Sequence, residues 1–579
     1  MEKTLTMGTT LHGNVCHFRV WAPLANGVSV ALLQGGAQRD FQMERQTGGY
    51  FHLTAPAVAG DRYFYQVDGG RPVPDPVSRL LPDGVHGATE IIDPGNFAWG
   101  DDHWRGLDMA RAILYELHTG TFTREGDFEA IIGKLHYLKS ELGVTAIELM
   151  PVAAVPRDEN GQVRNWGYDG VSPYSVEAVY GGPAGLKRLV NAAHATGLAV
   201  VLDVVYNHLG NEGNYLARFA PYFTERHQTP WGNAVDFSNA EVRGYFVENA
   251  LFWVREYHLD GLRLDAVQTI HDDSAKHILQ EIAEEVHAYA EETGRKIWVI
   301  AETDTNDRRL VQPRSAGGYG LDAFWSDDFH HAMHTVLTGE DKGYYQDFGK
   351  IEQMAKALNE GYVFQGEHFK FWDGARGTPA AEIELPKNVI CIQNHDQVGN
   401  RAKGERLTQL ASWAQRRAAA ALMLLAPHTP MLFMGEEFDN APPFQFFTSY
   451  GDPSLKEAVR NGRCQEFRDF AWEEIPDPEN PQTFHGCKLP WEQLTNETEM
   501  LNWYQELIAL RKKFVIGTDR TCRATVEGSV LTMEVPREQA LVRVDVNFKG
   551  NPLPEAPHGF AKALFAADEG CAVAVYRAV

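Results

Sequence analysis

The sequence of 579 residues predicts an α/β fold: a (β/α)8 TIM barrel carrying an N-terminal β-sandwich domain and a small C-terminal β domain. Three observations predict it. From residue 112 onward, eight short apolar runs alternate with stretches of helical period, as the eight strand–helix units of a barrel require. Before residue 105 the apolar residues recur with period two between turn residues, the pattern of a sandwich. Four of the later apolar runs end in acidic or amide side chains, and a barrel gathers the carboxyl ends of its strands on one face.

Taken in order, residues 1–105 form the first domain. Phe18, Val20 and Ala22 alternate with Arg19 and Trp21, and Tyr63, Tyr65 and Val67 alternate before the turn Asp68-Gly69-Gly70. The stretch 71–76 carries three prolines, which remove three ladder donors, so it marks the way out of the sheet. The barrel is assigned to 106–517. Strands are expected near 112–118, 145–150, 199–204, 261–265, 297–301, 322–325, 389–393 and 430–434. Helices are expected near 127–141, 184–196, 241–257, 273–292, 328–338, 407–425 and 497–513. Two long aromatic connections break the repeat, 205–240 with Tyr206, Tyr222 and Trp231, and 435–495 with Phe444, Phe447 and Trp472. Residues 518–579 return to short alternating strands and make the last domain.

Composition narrows the function. With 44% hydrophobic residues the chain is globular, and 53 Lys and Arg against 78 Asp and Glu leave a net charge of −25, which repels a polyanion such as nucleic acid. The six cysteines (Cys16, Cys391, Cys464, Cys487, Cys522, Cys571) form no C-x-x-C pair, which argues against a zinc knuckle and against a disulfide framework. Residues 1–8 hold no apolar leader, and the longest apolar stretch, near 418–427, is too short to span a bilayer. The expectation is a cytoplasmic protein with no membrane partner.

The organising stretch is Gly261-Leu262-Arg263-Leu264-Asp265. Alternation sends Arg263 and Asp265 into one space, where buried charges need partners or a task. An isolated R-x-D is usually a structural pair. Here Asp203 with Asn207 and His208, Glu302, and Asn394-His395-Asp396 end three further strands. Asp265 and Glu302 end the fourth and fifth strands, whose backbones lie about 4.8 Å apart. That spacing suits the pair of carboxyl groups, about 5 to 5.5 Å apart, of a retaining glycosidase. Arg263 would keep Asp265 ionised as nucleophile, while a neighbouring carboxylate would keep Glu302 protonated as acid/base. Asp304 and Asp307 are alternative acids, but they lie beyond the strand end.

In this order, Asp203-x-x-x-Asn207-His208, Gly261-x-Arg263-x-Asp265, Ala301-Glu302 and Asn394-His395-Asp396 resemble the four signature regions of the α-amylase superfamily of glycoside hydrolases. Phe18-Arg19-Val20-Trp21-Ala22-Pro23 resembles the start of the N-terminal domain shared by branching enzymes, isoamylases and maltooligosyltrehalose trehalohydrolases. The segments 207–216, 229–232, 325–331, 393–401 and 431–437 resemble the last of these families.

The resemblance implies hydrolysis of the α-1,4 bond beside the terminal trehalose of a maltooligosyltrehalose, and metabolic coupling to a synthase that makes that substrate. It makes Asp265, Glu302 and Asp396 catalytic and Asp203 structural. It puts Tyr168, His208, Arg263, Gln268, Asn394, His395, Gln397, Asp327, Phe329, His330 and His331 against sugar. Gln268 stands where the family has histidine, and Thr303 where serine or asparagine is commoner, so the rim contacts differ.

No cofactor and no required metal is expected. Asn207, which helps to bind calcium in some amylases, lacks a surrounding set of oxygen ligands, and His330 with His334 is half a zinc site without a third ligand. The rival readings are a branching enzyme, a debranching enzyme, and a glycan-binding protein without catalysis.

Overall fold

The structure is a computed structural model that describes residues 5–466, 475–494, 499–516, 521–537, 540–550, 552–556 and 558–578. Trp472, the start of the helix expected at 497 and the expected boundary at 517/518 lie outside the described residues.

Eight parallel strands close into a barrel in chain order: β1 (Leu114–Leu117), β2 (Ala146–Leu149), β3 (Ala199–Val204), β4 (Gly261–Leu264), β5 (Trp298–Ala301), β6 (Ala323–Trp325), β7 (Asn388–Cys391) and β8 (Thr429–Phe433). Nearly all their residues are buried on both faces, which is why the strands read as continuous apolar runs. The barrel interior starts as an apolar layer that includes Leu114, Ala146, Val201 and Ile300. Two residues further along the same strands it becomes charged, with Glu116, Glu148, Asp203 and Glu302 facing inward. The register sets Glu116 beside Glu148 and Asp203 beside Arg263.

Helices cover the outside, among them Gly182–Thr196, Ala240–Glu256, Ile278–Thr293, Asp327–Thr338, Trp413–Leu425 and Glu499–Phe514. The helix expected at 127–141 is broken into Phe128–Ile132 and a wider turn at Tyr137–Leu142. That expected at 407–425 is interrupted where Ser412 caps a new start through Gln415. A helix at Ile351–Glu360, absent from the expected set, lies between β6 and β7.

The N-terminal strands form two four-stranded antiparallel sheets, with Phe18, Val20, Val30 and Tyr65 in the core between them. After the barrel, five antiparallel strands between Arg523 and Ala578 make the last sheet. Its strand Ala572–Ala578 packs on the helix Trp413–Leu425.

Candidate active site

Arg263 is the hub. Its side chain is fully buried on β4, and Nη1 donates to both oxygens of Asp203, at 2.9 and 2.8 Å, and to Oδ1 of Asp265 at 2.8 Å. Nη2 lies 3.5 Å from Oε2 of Glu302. The indole of Trp325 on β6 covers the guanidinium at 4.2 Å. One cation therefore touches three carboxylates from three adjacent strands. Asp265 and Glu302 follow directly on the paired residues Leu264 and Ala301, so backbone register alone sets them side by side.

The turn after Asp265 is strained and useful. Ala266 holds the left-handed conformation, φ 39°, uncommon for a residue with a Cβ. That conformation accompanies a 2.6 Å bond from its N–H to Oε2 of Glu302. The Glu302 side chain is 13% exposed, enough for a substrate atom to reach it. Burial pushes its carboxyl well above the usual range; Arg263 pulls the other way, and Asp265, Asp396 and Asp327 add to the rise. A carboxyl that keeps its proton at neutral pH can donate it. Asp203, pushed up to about 7 by burial against the pull of Arg263, lies behind the guanidinium.

A second chain of contacts joins β3 to the segment after β7. Tyr168 Oη donates to Oδ2 of Asp203 at 2.5 Å and lies 2.8 Å from Nε2 of His395, with the two rings stacked at 5.2 Å. Tyr168 is set by its loop. Gly167, at φ 109°, leaves no room for a Cβ, which would fall 2.3 Å from the carbonyl oxygen of Pro151. Asn165 braces the turn through Gly167 N, Asp169 and Thr448. Asp396 is the open member, with its side chain 40% exposed and 3.5 Å from His395 Nε2.

Comparison with known proteins agrees with this geometry. Residues 94–231 match the family described as alpha amylase, catalytic domain, and residues 6–93 match carbohydrate-binding module 48, the isoamylase N-terminal domain. The malto-oligosyltrehalose trehalohydrolase of Saccharolobus solfataricus is 46% identical, over 89% of this chain and 88% of its own length. That of Arthrobacter ramosus is 45% identical over 86% of this chain and 87% of its own. The chain belongs to the malto-oligosyltrehalose trehalohydrolase family.

Among solved structures, a Salmonella typhimurium protein provisionally described as an alpha amylase superposes with a TM-score of 0.91, at 38% identity and complete coverage of both chains. A branching enzyme of Corynebacterium jeikeium is more distant, at 29% identity over 73% of this chain and 60% of its own.

Beyond the three carboxylates the expected residues divide. His208 is buried beside the centre, with Nε2 3.1 Å from the carbonyl oxygen of Tyr168 and its ring stacked face to face on Trp231 at 3.9 Å. It borders a cleft of about 640 Å³ between the N-terminal sandwich and the excursion after β3. Asp327, His331 and Gln397 line, with Asp396 and Asp304, a cavity of about 210 Å³. Asp327 is pushed up to about 7, by burial first and by Asp304 and Asp396. Gln268 is exposed on the turn beyond Asp265. Asn394 caps the helix His395–Gly399, its Oδ1 accepting from Gln397 N at 2.7 Å.

Two expectations are corrected. Phe329 lies in the hydrophobic core, 1% exposed, because its position on the helix Asp327–Thr338 turns it away from Asp327. His330 spends both ring nitrogens on protein, at 2.9 Å from the carbonyl oxygen of Ile392 and 3.0 Å from Tyr345 Oη, which leaves none for sugar. His334 likewise pairs with Glu340 at 2.8 Å, and among the described residues no group of three or more His, Cys, Asp or Glu side chains could hold a metal. Asp307 caps the turn at Arg309 and is not an acid at the centre.

Sequence reasoning missed Glu116 and the segment 344–376. Tyr344, Phe371, Trp372 and Arg376 of that segment line the 210 Å³ cavity. Glu116 had a visible signal, a lone charge at an inward position of a buried strand, the same feature that singled out Arg263.

Proposed function

We propose that the protein is a retaining glycoside hydrolase that cleaves the α-1,4-glucosidic bond next to the terminal trehalose of a maltooligosyltrehalose, releasing trehalose and a maltooligosaccharide. The observation that carries the reading is the pair Asp265 and Glu302 on adjacent strands, both in reach of Arg263, one ion-paired at 2.8 Å and the other with its carboxyl pushed up by burial.

Asp265 attacks the anomeric carbon while Glu302 protonates the glycosidic oxygen, and trehalose leaves with that proton. Glu302, now ionised, takes a proton from water, whose oxygen displaces Asp265 and restores the configuration. Asp396, the most exposed of the three, grips hydroxyls of the sugar being cleaved and favours its flattened, oxocarbenium-like state. Tyr168 and His395 form the floor under that sugar, and Asp203 fixes the arginine.

The substrate would come from an enzyme that converts the reducing end of a maltooligosaccharide into a 1,1-linked unit. The six cysteines are free, which suits a reducing compartment, and the cytoplasm is the proposed location.

Incubation with maltotriosyltrehalose, followed by chromatography of the products, tests the reading: equimolar trehalose and maltotriose are expected. New α-1,6 branches from amylose without any trehalose would assign the protein to glycosyl transfer instead.

A further inference from the structure

Glu116 is the last residue but one of β1, and no step of the proposed mechanism uses it. Its side chain is 1% exposed. Both of its oxygens go to one residue. Oε2 accepts the backbone N–H of His395 at 2.9 Å, and Oε1 meets Nδ1 of the same histidine at 2.5 Å. A carboxylate that takes two bonds from a single residue fixes both where the ring starts and how it is turned.

Counting protons along the chain then sets the state of the ring. Tyr168 has one hydroxyl proton and gives it to Asp203. Its oxygen is therefore the acceptor in the 2.8 Å contact with His395 Nε2, so Nε2 carries hydrogen. The Nδ1 contact with Glu116 holds a second proton between the two atoms.

We propose that Glu116 is a positioning residue for the reaction, holding His395 as a doubly protonated ring whose Nε2–H is presented to Tyr168 and Asp396. The inference rests on the glycosidase reading above, since it gives this acid its purpose there. A cation at that place neutralises part of the charge of Asp396 and keeps that carboxylate ready to accept sugar hydroxyls.

The groups facing the ring agree. Burial opposes its charge, yet Asp396 and Glu116 overcome burial and push His395 up to about 9, against Arg263. Asp203 and Glu148 also feel the ring, and both of these carboxyls are pushed up by burial, Glu148 far above the usual range. His118, pushed down to about 3 by burial, adds no competing charge. Tyr168, the remaining neighbour, is driven up by burial and stays a neutral phenol.

The test is Glu116→Gln. The amide can still accept the His395 backbone N–H, but its NH2 group then faces Nδ1 and forces the neutral tautomer protonated on Nε2. Shape is kept and charge is lost. With maltotriosyltrehalose, kcat is expected to fall about ten- to hundredfold. The acid limb of the kcat/KM profile should move to higher pH, because the carboxyls around His395 lose a cationic neighbour that holds them down. Glu116→Asp, which keeps the charge at shorter reach, should return the limb towards its wild-type position.

An acid limb that stays in place in Glu116→Gln overturns the proposal, whatever happens to kcat. If that variant does not fold, 15N NMR of selectively histidine-labelled wild-type protein decides at pH 7: two imidazolium-type nitrogens for His395, assigned by comparison with His395→Gln, support it, and a neutral tautomer sinks it. The NMR measurement needs no substrate, so it stands apart from failure of the glycosidase reading, which wild-type turnover reports.

Discussion

Replacing Glu302 by glutamine separates proton donation from every other contribution of the site. The amide fits the same volume and can keep the 2.6 Å bond from Ala266 N–H, so the turn after β4 should survive. What goes is the acid. General acid–base catalysis is worth about 10²- to 10⁴-fold, or roughly 3 to 5 kcal/mol of barrier, and turnover of maltotriosyltrehalose should fall by that factor with KM changed little.

The loss should depend on the leaving group. Fluoride departs without a proton, so Glu302→Gln should release about one equivalent of fluoride from α-maltosyl fluoride in a burst. It should then stall at the glycosyl-enzyme, because the same residue must activate the water. A third reading is stability. Burial raises the carboxyl in the folded state well above the 4.5 of the unfolded chain, so above 4.5 the folded state binds more protons and loses stability as pH rises. Glutamine removes that loss, and the variant should melt higher than wild type at pH 8 and alike at pH 4. Near-normal turnover of maltotriosyltrehalose, or absence of the fluoride burst with circular dichroism unchanged, would refute the assignment.

Glu436, buried after β8 and hydrogen-bonded by Tyr504 at 3.0 Å, is pushed up by burial from 4.5 to about 8. Between those values the fold gives up stability as pH rises, to an upper bound of roughly 5 kcal/mol at about 1.4 kcal/mol per pH unit. Glu436→Gln should therefore match wild type in urea unfolding at pH 4.5 and exceed it at pH 9; an offset independent of pH would contradict this. Arg263→Met leaves Asp203, Asp265 and Glu302 without their shared cation, and unfolding free energy should drop by about 3 to 5 kcal/mol, read from denaturant midpoints. Trp231→Ala removes a 41% exposed ring that stacks on His208, and should raise KM about three- to tenfold with kcat nearly unchanged.

Strand ends were the legible part of this sequence. All eight barrel strands lie within one or two residues of their expected places, because a strand buried on both faces is an unbroken apolar run whose polar terminus stands out. The carboxylates were legible for the same reason. Helix faces were not. Phe329 and His330 neighbour Asp327 in the chain but turn to the core and to Tyr345, a distinction set by packing against β7 and the segment 343–345. Nor was the pairing of Glu116 with His395 readable, since 279 residues separate them and only barrel closure between β8 and β1 brings them together. The helix Ile351–Glu360 went unread because it interrupts a strand–helix alternation that was otherwise regular.

The carboxylates around Arg263 hang from strands whose ladders continue all the way round, while the clefts beside them draw much of their lining from excursions outside that closed ring, the segment after β3 and residues 344–376. On the proposed reading, bond-breaking rests on the ring, and much of substrate choice rests on the excursions. Exchanging the segment 205–240 or 343–376 for one from a relative should retune which oligosaccharide is accepted without detuning the hub. That division makes the rim, and not the wheel, the place to look for diversity among proteins built this way.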